Sequence, residues 1–267
     1  MTLKQAGYRL LEGNRIKIGK QVFKFSKSRA ILGLIKTLTV KRDPLGEIYL
    51  YFSSELPDPK APNTQVKNSV GMDFGLKTFL TLSNGEKIES PQFFKKGLNA
   101  IRKANKNFSS KKKGSNHRKQ AKINLARAHK KIGNQRKDFH FKLAKKLTDS
   151  FDVIIHEDLH IKAMQQLWGR KISDLGFSDF VKILSYEASQ NNKITHAVDR
   201  FFPSSKKCNC CCFINDDLQL KDRFWTCPKC ETLHDRDENA AINIHSEGAS
   251  SLRLGNVRPS LKMAVSV

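Results

Sequence analysis

The sequence predicts an α/β protein that carries a separate metal-binding module. Three observations support this prediction. Apolar segments that suit strands are interspersed with segments of helical periodicity, an order typical of α/β folds. One long stretch of the chain is strongly basic, and all six cysteines fall within residues 208–230. We therefore expect a sheet with covering helices, a basic helical segment and a small module held by cysteines.

The size and charge of the chain narrow the class of partner. At 267 residues it can bury the core of one large domain or of two smaller ones. The formal net charge of +24 and the pI near 9.9 favour a polyanionic partner, with nucleic acid the first expectation. No apolar run approaches the roughly 18 residues of a membrane span, and the N-terminus lacks an apolar signal core. We expect no membrane partner and a cytoplasmic, nucleoid-associated protein.

Residues 1–53 are predicted to form β-structure. Apolar and polar residues alternate in four segments, and Asp43 begins a turn sequence, Asp-Pro-Leu-Gly. Lys and Arg occupy the faces opposite the apolar side. These faces either lie against nucleic acid or are solvated, and the pattern alone favours neither. Residues 54–69 contain three prolines and are predicted to be a linker.

Acidic residues lie at the end or at the start of several segments that are predicted to pack in the core. Asp73 lies in the apolar segment 69–77, which reads as a strand followed by a turn. A lone Asp after a strand more often caps a turn. However, Glu157 ends a second buried-type strand, and Asp235 and Asp237 lie at the start of a predicted helix. Carboxylates from these three places could converge to bind hard metal ions.

The basic stretch is a defined part of the chain. Residues 95–146 contain 19 Lys or Arg and one acid, and so supply +18 of the formal charge of +24. Apolar residues at helical spacing predict two amphipathic helices with a break near residues 111–116. A solvated lysine face is the alternative, but such a long run of one sign would repel itself without phosphates nearby. The predicted nucleic-acid-binding residues here are Lys111, Lys112, Lys113, Arg118, Lys119, Arg127 and Arg136.

Two further elements precede the cysteines. Residues 178–190 are predicted to form a helix with Ser178 as its N-cap, and residues 193–198 a strand. Arg200, Ser204 and Ser205 follow the strand. They either grip a phosphate or belong to a loop that enters the next module, and the sequence leaves both possibilities open.

The cysteine spacing predicts a zinc site. Two C-x2-C pairs, Cys208 with Cys211 and Cys227 with Cys230, are separated by fifteen residues. Four thiolates leave no open coordination position, so the Zn²⁺ would be structural. Cys212 follows the first pair at a position where Gly would adopt a positive φ more easily, and neither it nor Cys210 has an assigned role. Trp225, in the strand-like segment 224–226, is expected to pack over the metal site rather than stack on a base.

In this order, the motifs resemble the TnpB family, also called OrfB, a transposase-associated family of insertion sequences from which type V CRISPR nucleases are thought to descend. The resemblance runs from about Leu11 to about Glu247 and is carried by residues 70–77, 133–140, 155–159 and 199–206, the paired C-x2-C motifs, and residues 234–244. It implies a RuvC-like nuclease domain of the RNase H fold that uses a transposon-encoded guide RNA to cut DNA. Its function would be associated with transposition and DNA recombination.

The resemblance also implies roles for the acids. Asp73, Glu157 and Asp237 would be the catalytic acids and would hold two Mg²⁺ or Mn²⁺ ions, with Asp73 bridging them. Asp235 competes for the third role, but the family pattern Asp-x-Asn-Ala-Ala falls on Asp237. Expected partners are DNA, a guide RNA and the partner transposase of the mobile element. The alternatives are a nucleic-acid-binding regulator without catalysis and a truncated remnant that retains binding.

The expected domain boundaries follow from the same resemblance. Family members usually begin with a helical segment and the opening part of a wedge-like barrel, so Met1 would fall inside the latter part of that barrel. We therefore expect an N-terminally truncated member with impaired targeting. The predicted divisions are a partial wedge-like β-barrel at 1–53, a linker at 54–69, a nuclease domain at 70–206 and 232–248 with a basic helical insertion at 95–148, a zinc ribbon at 207–231, and a flexible tail at 249–267.

Overall fold

The structure is a computed structural model that describes residues 1–28, 30–55 and 66–254. It divides into two compact units. The first unit comprises Met1–Lys60 and Asn99–Lys131, and the second comprises Ala61–Leu98 and Ile132–Val267. Most of the predicted linker (residues 56–65) and most of the predicted tail (residues 255–267) lie outside the described residues.

The first unit contains the predicted N-terminal strands. A 3-10 turn over Gln5–Gly7 separates the first two of them. The strands are β1 (Thr2–Lys4), β2 (Tyr8–Leu11), β3 (Arg15–Ile18), β4 (Gln21–Lys24), β5 (Leu34–Arg42) and β6 (Ile48–Glu55). Within the described residues they form two antiparallel three-stranded sheets, ordered β1-β5-β6 and β2-β3-β4. The strand predictions are confirmed, but the strands do not form one continuous sheet, because β2, β3 and β4 pair only with one another.

The second unit is built on one mixed sheet. Its strands are β7 (Ser69–Phe74), β8 (Thr78–Leu82), β9 (Lys87–Glu89), β10 (Val153–Glu157) and β11 (Ile194–Val198). Their order is β11-β10-β7-β8-β9, with β10 parallel to β7 and β11 and with β8 antiparallel to β7 and β9. The central strands β7 and β10 are buried almost throughout, as their continuous apolar sequences predict. The α/β class is therefore confirmed.

The basic stretch folds as two helices, as predicted. The helices of the chain are α1 (Phe93–Ser109), α2 (Asn116–Ser150), α3 (Ile161–Trp168), α4 (Arg170–Leu175), α5 (Phe177–Gln190) and α6 (Arg236–Ser251). The division of the basic stretch differs from the predicted insertion at 95–148, because residues 99–131 group with the first unit. There, Lys130 Nζ lies 2.8 Å from Asp43 Oδ2 and 2.6 Å from Glu47 Oε2 at the β5–β6 turn. The later part of α2 supplies Leu143, Ala144 and Leu147 to the core of the second unit.

Two apolar cores cover the two faces of the mixed sheet. On one face, β7, β8 and β10 pack against α2, α4 and α5 around Phe177, Phe180 and Leu184. On the other face, Val153 and Ile155 of β10 pack against Ile244 of α6. The sheet is therefore the middle layer of the unit.

Two boundaries differ from the predictions. Ser178 is not the N-cap of α5, because Gly176, with φ 64°, ends α4 and precedes α5, so that Ser178 already lies inside the helix. Helix α6 continues to Ser251, into the predicted tail. The short helices α3 and α4 were not predicted. None of the helices in the described part of the chain combines the length and apolar character needed to cross a bilayer.

Candidate active site and metal centre

Strand alternation puts Asp73 and Glu157 on the same face of the mixed sheet. Strands β7 and β10 are parallel, with Ile155 opposite Gly71 and His156 opposite Met72. Successive side chains on a strand point to opposite faces, so Asp73 shares the face of Gly71 and Glu157 shares that of Ile155. The two acids therefore lie on neighbouring central strands, near the carboxyl end of each strand.

Helix α6 lies on this face and brings the third acid. A Cβ atom at Gly71 would lie 2.4 Å from the carbonyl oxygen of Ala241, and one at Gly248 would lie 2.3 Å from Ile155 Cγ2. These glycines let the helix backbone approach the sheet more closely than any side chain would allow. Asp237 is in the first turn of this helix.

The electrostatics of the acids reflect this proximity. Burial, followed by the negative charges of Glu157 and Asp237, raises the pKa of Asp73 well above its ordinary value, while Arg236 opposes the shift. Burial also raises the pKa of Glu157 to about 7. Asp73 is buried, and Glu157 and Asp237 are half-buried. Carboxylates that oppose one another's ionisation are stabilised by a cation, and such perturbed acids are typical of functional sites.

The two candidates for the third acid have different surroundings. Asp235 is the N-cap of α6: its Oδ1 accepts from the backbone N–H groups of Asp237 and Glu238, and its Oδ2 lies 2.7 Å from Lys87 Nζ. Burial by itself would raise its pKa, but these bonds keep the pKa below the ordinary value. Asp237 forms an ion pair with Arg223 through its Oδ2. Asp235 therefore has a structural role. Asp237 is the acid whose carboxylate could bind a metal cation in place of the Arg223 guanidinium.

The four predicted cysteines are brought together. Among the described residues, they are the one group of three or more His, Cys, Asp or Glu whose ligand atoms all lie within 4.8 Å of one another. The Sγ atoms of Cys208 and Cys230 are 3.6 Å apart, and those of Cys211 and Cys227 are 3.5 Å apart. A tetrahedral Zn²⁺ site with bonds of ~2.3 Å has sulfur–sulfur edges of about 3.8 Å, so the thiols fit zinc. The three acids do not meet the 4.8 Å spacing.

Local backbone geometry explains the cysteine arrangement. Each C-x2-C pair is followed by a residue with positive φ, 61° at Cys212 and 58° at Glu231, and the N–H of each donates to the carbonyl of the first cysteine in its pair. The expectation that position 212 calls for a positive φ is therefore confirmed. The second pair lies in the loop of a hairpin formed by β12 (Phe224–Thr226) and β13 (Leu233–Asp235), and Trp225 of β12 is buried against Cys208 and Cys227. This is the predicted packing over the metal site.

The predicted nucleic-acid-binding residues of the basic stretch fall into two groups. Arg118 donates to the carbonyls of Phe108 and Lys111 and lies over the Phe108 ring, so it stabilises the turn between α1 and α2. Arg136 donates to the carbonyls of Ser173 and Asp174 at the end of α4. Both guanidinium groups therefore have structural bonds. The remaining five residues are exposed or half-buried at the α1–α2 turn and along α2, and they are Lys111, Lys112, Lys113, Lys119 and Arg127.

The predicted residues after β11 are also partly engaged. Arg200 forms an ion pair with Asp158, the residue after Glu157. Ser204 is buried, and its carbonyl accepts from Asn243 of α6, which leaves its hydroxyl little access to a ligand. Ser205 is half-buried. The segment therefore serves mainly as a turn between β11 and the cysteine module, one of the two roles left open by the sequence.

Three contacts around the acids were not predicted. They are the close approach of Gly71 to Ala241, the hydrogen bond of 2.8 Å between Ser69 Oγ and His245 Nε2, and the Arg223–Asp237 ion pair. The one available signal was Gly71 inside a buried strand, since an interior strand glycine often marks a close backbone approach.

Comparison with known proteins places these features in a family. The OrfB_IS605 family model, described as "Probable transposase", matches residues 51–167, and the "Cas12f1-like, TNB domain" model matches residues 177–244. A protein of Streptomyces pristinaespiralis named "Putative RNA-guided DNA endonuclease" is 35% identical over 226 residues, which are 84% of this chain and 56% of the relative. The chain belongs to the TnpB family. The resemblance found in the sequence is thereby confirmed.

Other TnpB relatives agree with this result. TnpB-like protein L770 of Acanthamoeba polyphaga mimivirus is 28% identical over 246 residues, covering 84% of this chain and 46% of the relative. A protein of Escherichia coli K12 named "Putative RNA-guided DNA endonuclease InsQ" is 25% identical over 266 residues, which are 92% of this chain and 65% of the relative. The chain spans about half to two thirds of the length of these relatives.

A solved structure shares the fold. The cryo-EM structure of a Cas12f1–sgRNA–target DNA complex matches with a TM-score of 0.56 and 19% identity, covering 79% of this chain and 45% of that one. At this identity the match shows a shared fold and says nothing of individual residues.

Proposed function

We propose that this TnpB-family chain is a divalent-metal-dependent, RuvC-like DNA endonuclease of a mobile element, directed by a guide RNA, with Asp73, Glu157 and Asp237 as its catalytic acids. The observation that carries this proposal is geometric: strand register puts Asp73 and Glu157 on one face of the sheet, and the α6 helix that begins with Asp237 packs on that face. The raised pKa of Asp73, caused by burial and then by the charges of the other two acids, agrees with this placement. The family assignment supports the reaction class, and the names of the relatives support DNA as substrate and RNA as guide.

The donor set fits Mg²⁺ or Mn²⁺. Carboxylate oxygens are the ligands these hard cations prefer. Two of the three would come from one face of the sheet, Asp73 and Glu157, and the third from the first turn of α6, Asp237. Two such ions, when bound, would activate a water molecule and stabilise the leaving oxygen of a phosphodiester. Asp237 would exchange Arg223 for a cation, and the released guanidinium would lie beside the site with its charge available to a phosphate.

The basic residues would hold the nucleic acid. We propose the α1–α2 turn and the exposed part of α2 as contacts, through Lys111, Lys112, Lys113, Lys119 and Arg127. Arg118, Arg136, Arg200 and Ser204 are weaker candidates, because each is engaged or buried in the structure. The four cysteines would hold one structural Zn²⁺, which would fix the hairpin and the Arg223 loop beside α6.

The proposed DNA cleavage can be tested by substituting the acids. We expect the wild-type protein to nick or cut DNA only with Mg²⁺ or Mn²⁺, in the presence of its guide RNA. Asp73→Ala and Glu157→Ala should abolish cutting without weakening DNA retention, since neither side chain lies on the basic surface. Asp138→Asn, which removes an exposed carboxylate paired with Lys142, is the matched control and should cut normally. Equal cutting by wild type and both alanine variants would refute the assignment and favour a binding protein without catalysis.

A further inference from the structure

Residues 207–213, which we call the Cys208 knuckle, are bonded to the start of α6 on both sides of Cys208. Asn239 Oδ1 accepts from the backbone N–H of the residue after Cys208, and Asn239 Nδ2 donates to the carbonyl of the residue before it, with donor–acceptor distances of 3.0 and 2.8 Å. The Asn239 amide is buried, so the loss of either bond would leave a polar backbone group without a partner. Since Asn239 follows Asp237 by two positions, the two residues belong to one turn of the helix.

A second connection joins the knuckle to the segment that precedes Asp237. The Nε2 atom of the buried His234 lies 3.1 Å from the Sγ atom of Cys208. A thiolate that holds Zn²⁺ carries no proton, so this nitrogen would be the donor. The His234 ring also packs on the indole ring of Trp225, with ring centroids 4.7 Å apart. The residue after His234 is Asp235, the N-cap whose Oδ1 accepts from the backbone N–H of Asp237.

The knuckle is held together by its own backbone bonds. The N–H of Cys208 donates to the carbonyl of Phe213 at 2.7 Å, and the N–H of Cys212 donates to the carbonyl of Cys208 at 3.0 Å. Four thiolates around one Zn²⁺ would fix this knuckle against the second cysteine pair. A displacement of Cys208 would therefore move the backbone groups on both sides of it, and with them Asn239.

We propose that Asn239 and His234 are positioning residues that hold Asp237 in place at the acid site from the Cys208 knuckle, so that the intact zinc module raises the affinity of the acids for a divalent cation. This inference rests on the proposed function, in which Asp237 is a ligand of that cation. Each of the two residues acts through Asp237 rather than by contact with the cation. The removal of a group that orients a metal ligand from outside typically lowers metal affinity by about 10–100-fold.

The affinity of the full-length, zinc-loaded protein for Mn²⁺ measures this effect. The titration would be followed by electron paramagnetic resonance without nucleic acid. The test variant is Asn239→Ala, which removes both bonds to the knuckle. The matched control is Asn243→Ala. Asn243 is also buried on α6, and its Nδ2 donates to the carbonyls of Ser204 and Lys207, but it lies one turn further from Asp237 and its loss leaves both Asn239 bonds in place.

We expect Asn239→Ala to raise the dissociation constant for Mn²⁺ at least about fivefold, the lower end of typical coupling between sites, and Asn243→Ala to raise it less than about twofold. Both variants should lose melting temperature to a similar extent, since each leaves buried backbone groups unpaired. Lower stability would therefore not explain the difference in Mn²⁺ affinity.

Substitutions of His234 provide a second, independent pair. His234→Phe keeps an aromatic ring against Trp225 but removes the nitrogen donor, so it should weaken Mn²⁺ binding. His234→Gln keeps a side-chain N–H and should restore much of the affinity. If Asn239→Ala does not fold, this pair decides the question, and equal Mn²⁺ affinities for the two His234 variants would count against the inference.

The route through the zinc module is tested in protein that carries Cys227→Ser and so lacks one thiolate. In this background Asn239→Ala should raise the dissociation constant for Mn²⁺ by a much smaller factor, because the metal no longer fixes the knuckle. The same factor in both backgrounds would overturn the inference, since Asn239 would then act within α6 alone.

Two further outcomes separate this inference from the proposed function. Equal Mn²⁺ affinity for Asn239→Ala and Asn243→Ala would overturn the inference and leave the proposed function intact. Mn²⁺ binding to the wild-type protein that Asp73→Ala does not weaken would overturn the proposed function and this inference with it, because the acids would not be the metal site.

Discussion

Gly71 of β7 packs directly against the backbone of Ala241 in α6, so closely that a Cβ atom would lie 2.4 Å from the Ala241 carbonyl oxygen and 2.6 Å from the backbone nitrogen of His245. Backbone atoms cannot move aside as a flexible side chain can. This contact therefore sets the distance between the strand that holds Asp73 and the helix that holds Asp237. The hydrogen bond between Ser69 Oγ and His245 Nε2 joins the same strand and helix, and it restricts sliding of α6 along its axis.

Gly71→Ala should displace α6 and separate the third acid from the other two. We expect a loss of about 1–3 kcal/mol in the free energy of unfolding, typical of overpacking, together with a larger loss of metal-dependent cutting. Urea denaturation and a DNA cleavage assay measure the two effects. Gly133→Ala is the matched control, because nothing lies within 4 Å of its added Cβ in the middle of α2. It should be neutral or stabilising by about 0.5–1 kcal/mol. A Gly71→Ala protein as stable and active as this control would contradict the role given to the contact.

In protein free of Mg²⁺ and Mn²⁺, the buried acids should contribute stability that is lost as pH rises from about 4.5 to 7. Burial raises the pKa of Glu157 to about 7, so in this window the folded state binds more protons at this group than the unfolded chain does. Four histidines act in the opposite direction, because burial lowers their pKa values; they are His140, His156, His234 and His245. Asp73, whose pKa is also raised, acts in the same direction. Asp152, whose pKa is lowered mainly by its bond with Lys193, acts only at more acidic pH. Melting temperatures measured between pH 5 and 8 without added Mg²⁺ or Mn²⁺, and without a chelator that would also strip the cysteine module, give the slope.

Glu157→Gln should remove the contribution of this acid, so its stability relative to the wild type should increase as pH rises across the window. Asp138→Asn should follow the wild-type pH dependence. Added Mg²⁺ should stabilise the wild-type protein more at pH 8 than at pH 5.5, because the cation binds the ionised carboxylates. A stability difference between Glu157→Gln and the wild type that does not change with pH would show that the acids are not buried together.

Arg223→Gln should increase the affinity of the nucleic-acid-free protein for Mn²⁺. In the structure, the guanidinium is paired with the Asp237 carboxylate, so a metal ion that uses this carboxylate must displace it. We expect the dissociation constant to fall severalfold, measured by calorimetry or by Mn²⁺ electron paramagnetic resonance. Arg200→Gln, which releases Asp158 instead, should change it much less. Equal effects of the two substitutions would indicate a general change in charge rather than competition at Asp237.

The cysteine module should contain about one zinc per chain and should lose its structure when the metal is removed. Cys227→Ser should abolish stoichiometric zinc in freshly purified protein, whereas Cys210→Ser should retain it, because Cys210 lies outside the thiol cluster. Metal analysis by mass spectrometry measures both. Zinc retained in full by Cys227→Ser would argue against the four-thiolate site.

Cys212→Gly should also retain zinc and should raise the melting temperature slightly, because Cys212 holds a φ of 61° that glycine adopts at little cost. A gain of about 1 kcal/mol is the expected scale. Glycine at position 212 that lowered the stability would show that the cysteine side chain has a contact beyond the backbone turn.

The sequence by itself determined the class of fold, the four cysteines that cluster, the two basic helices and the three candidate acids. These features depend on local signals: continuous apolar runs for buried strands, fixed spacing for thiolates, and charge at helical intervals. The sequence also predicted the family, because several motifs occur in one order along the chain. Its errors were local as well, such as Ser178 in place of Gly176 before α5, where a left-handed glycine rather than a hydroxyl makes the turn.

Only the tertiary structure decided which groups meet. Strand register put Asp73 and Glu157 on one face of the sheet, and two glycines let α6 bring Asp237 to that face. The structure also separated Asp235, which caps the helix, from Asp237, and it showed that Arg118 and Arg136 are committed to backbone carbonyls. These results depend on contacts between residues far apart in sequence, whose packing and charges act on one another only after the chain has folded, so no local pattern of residues encodes them.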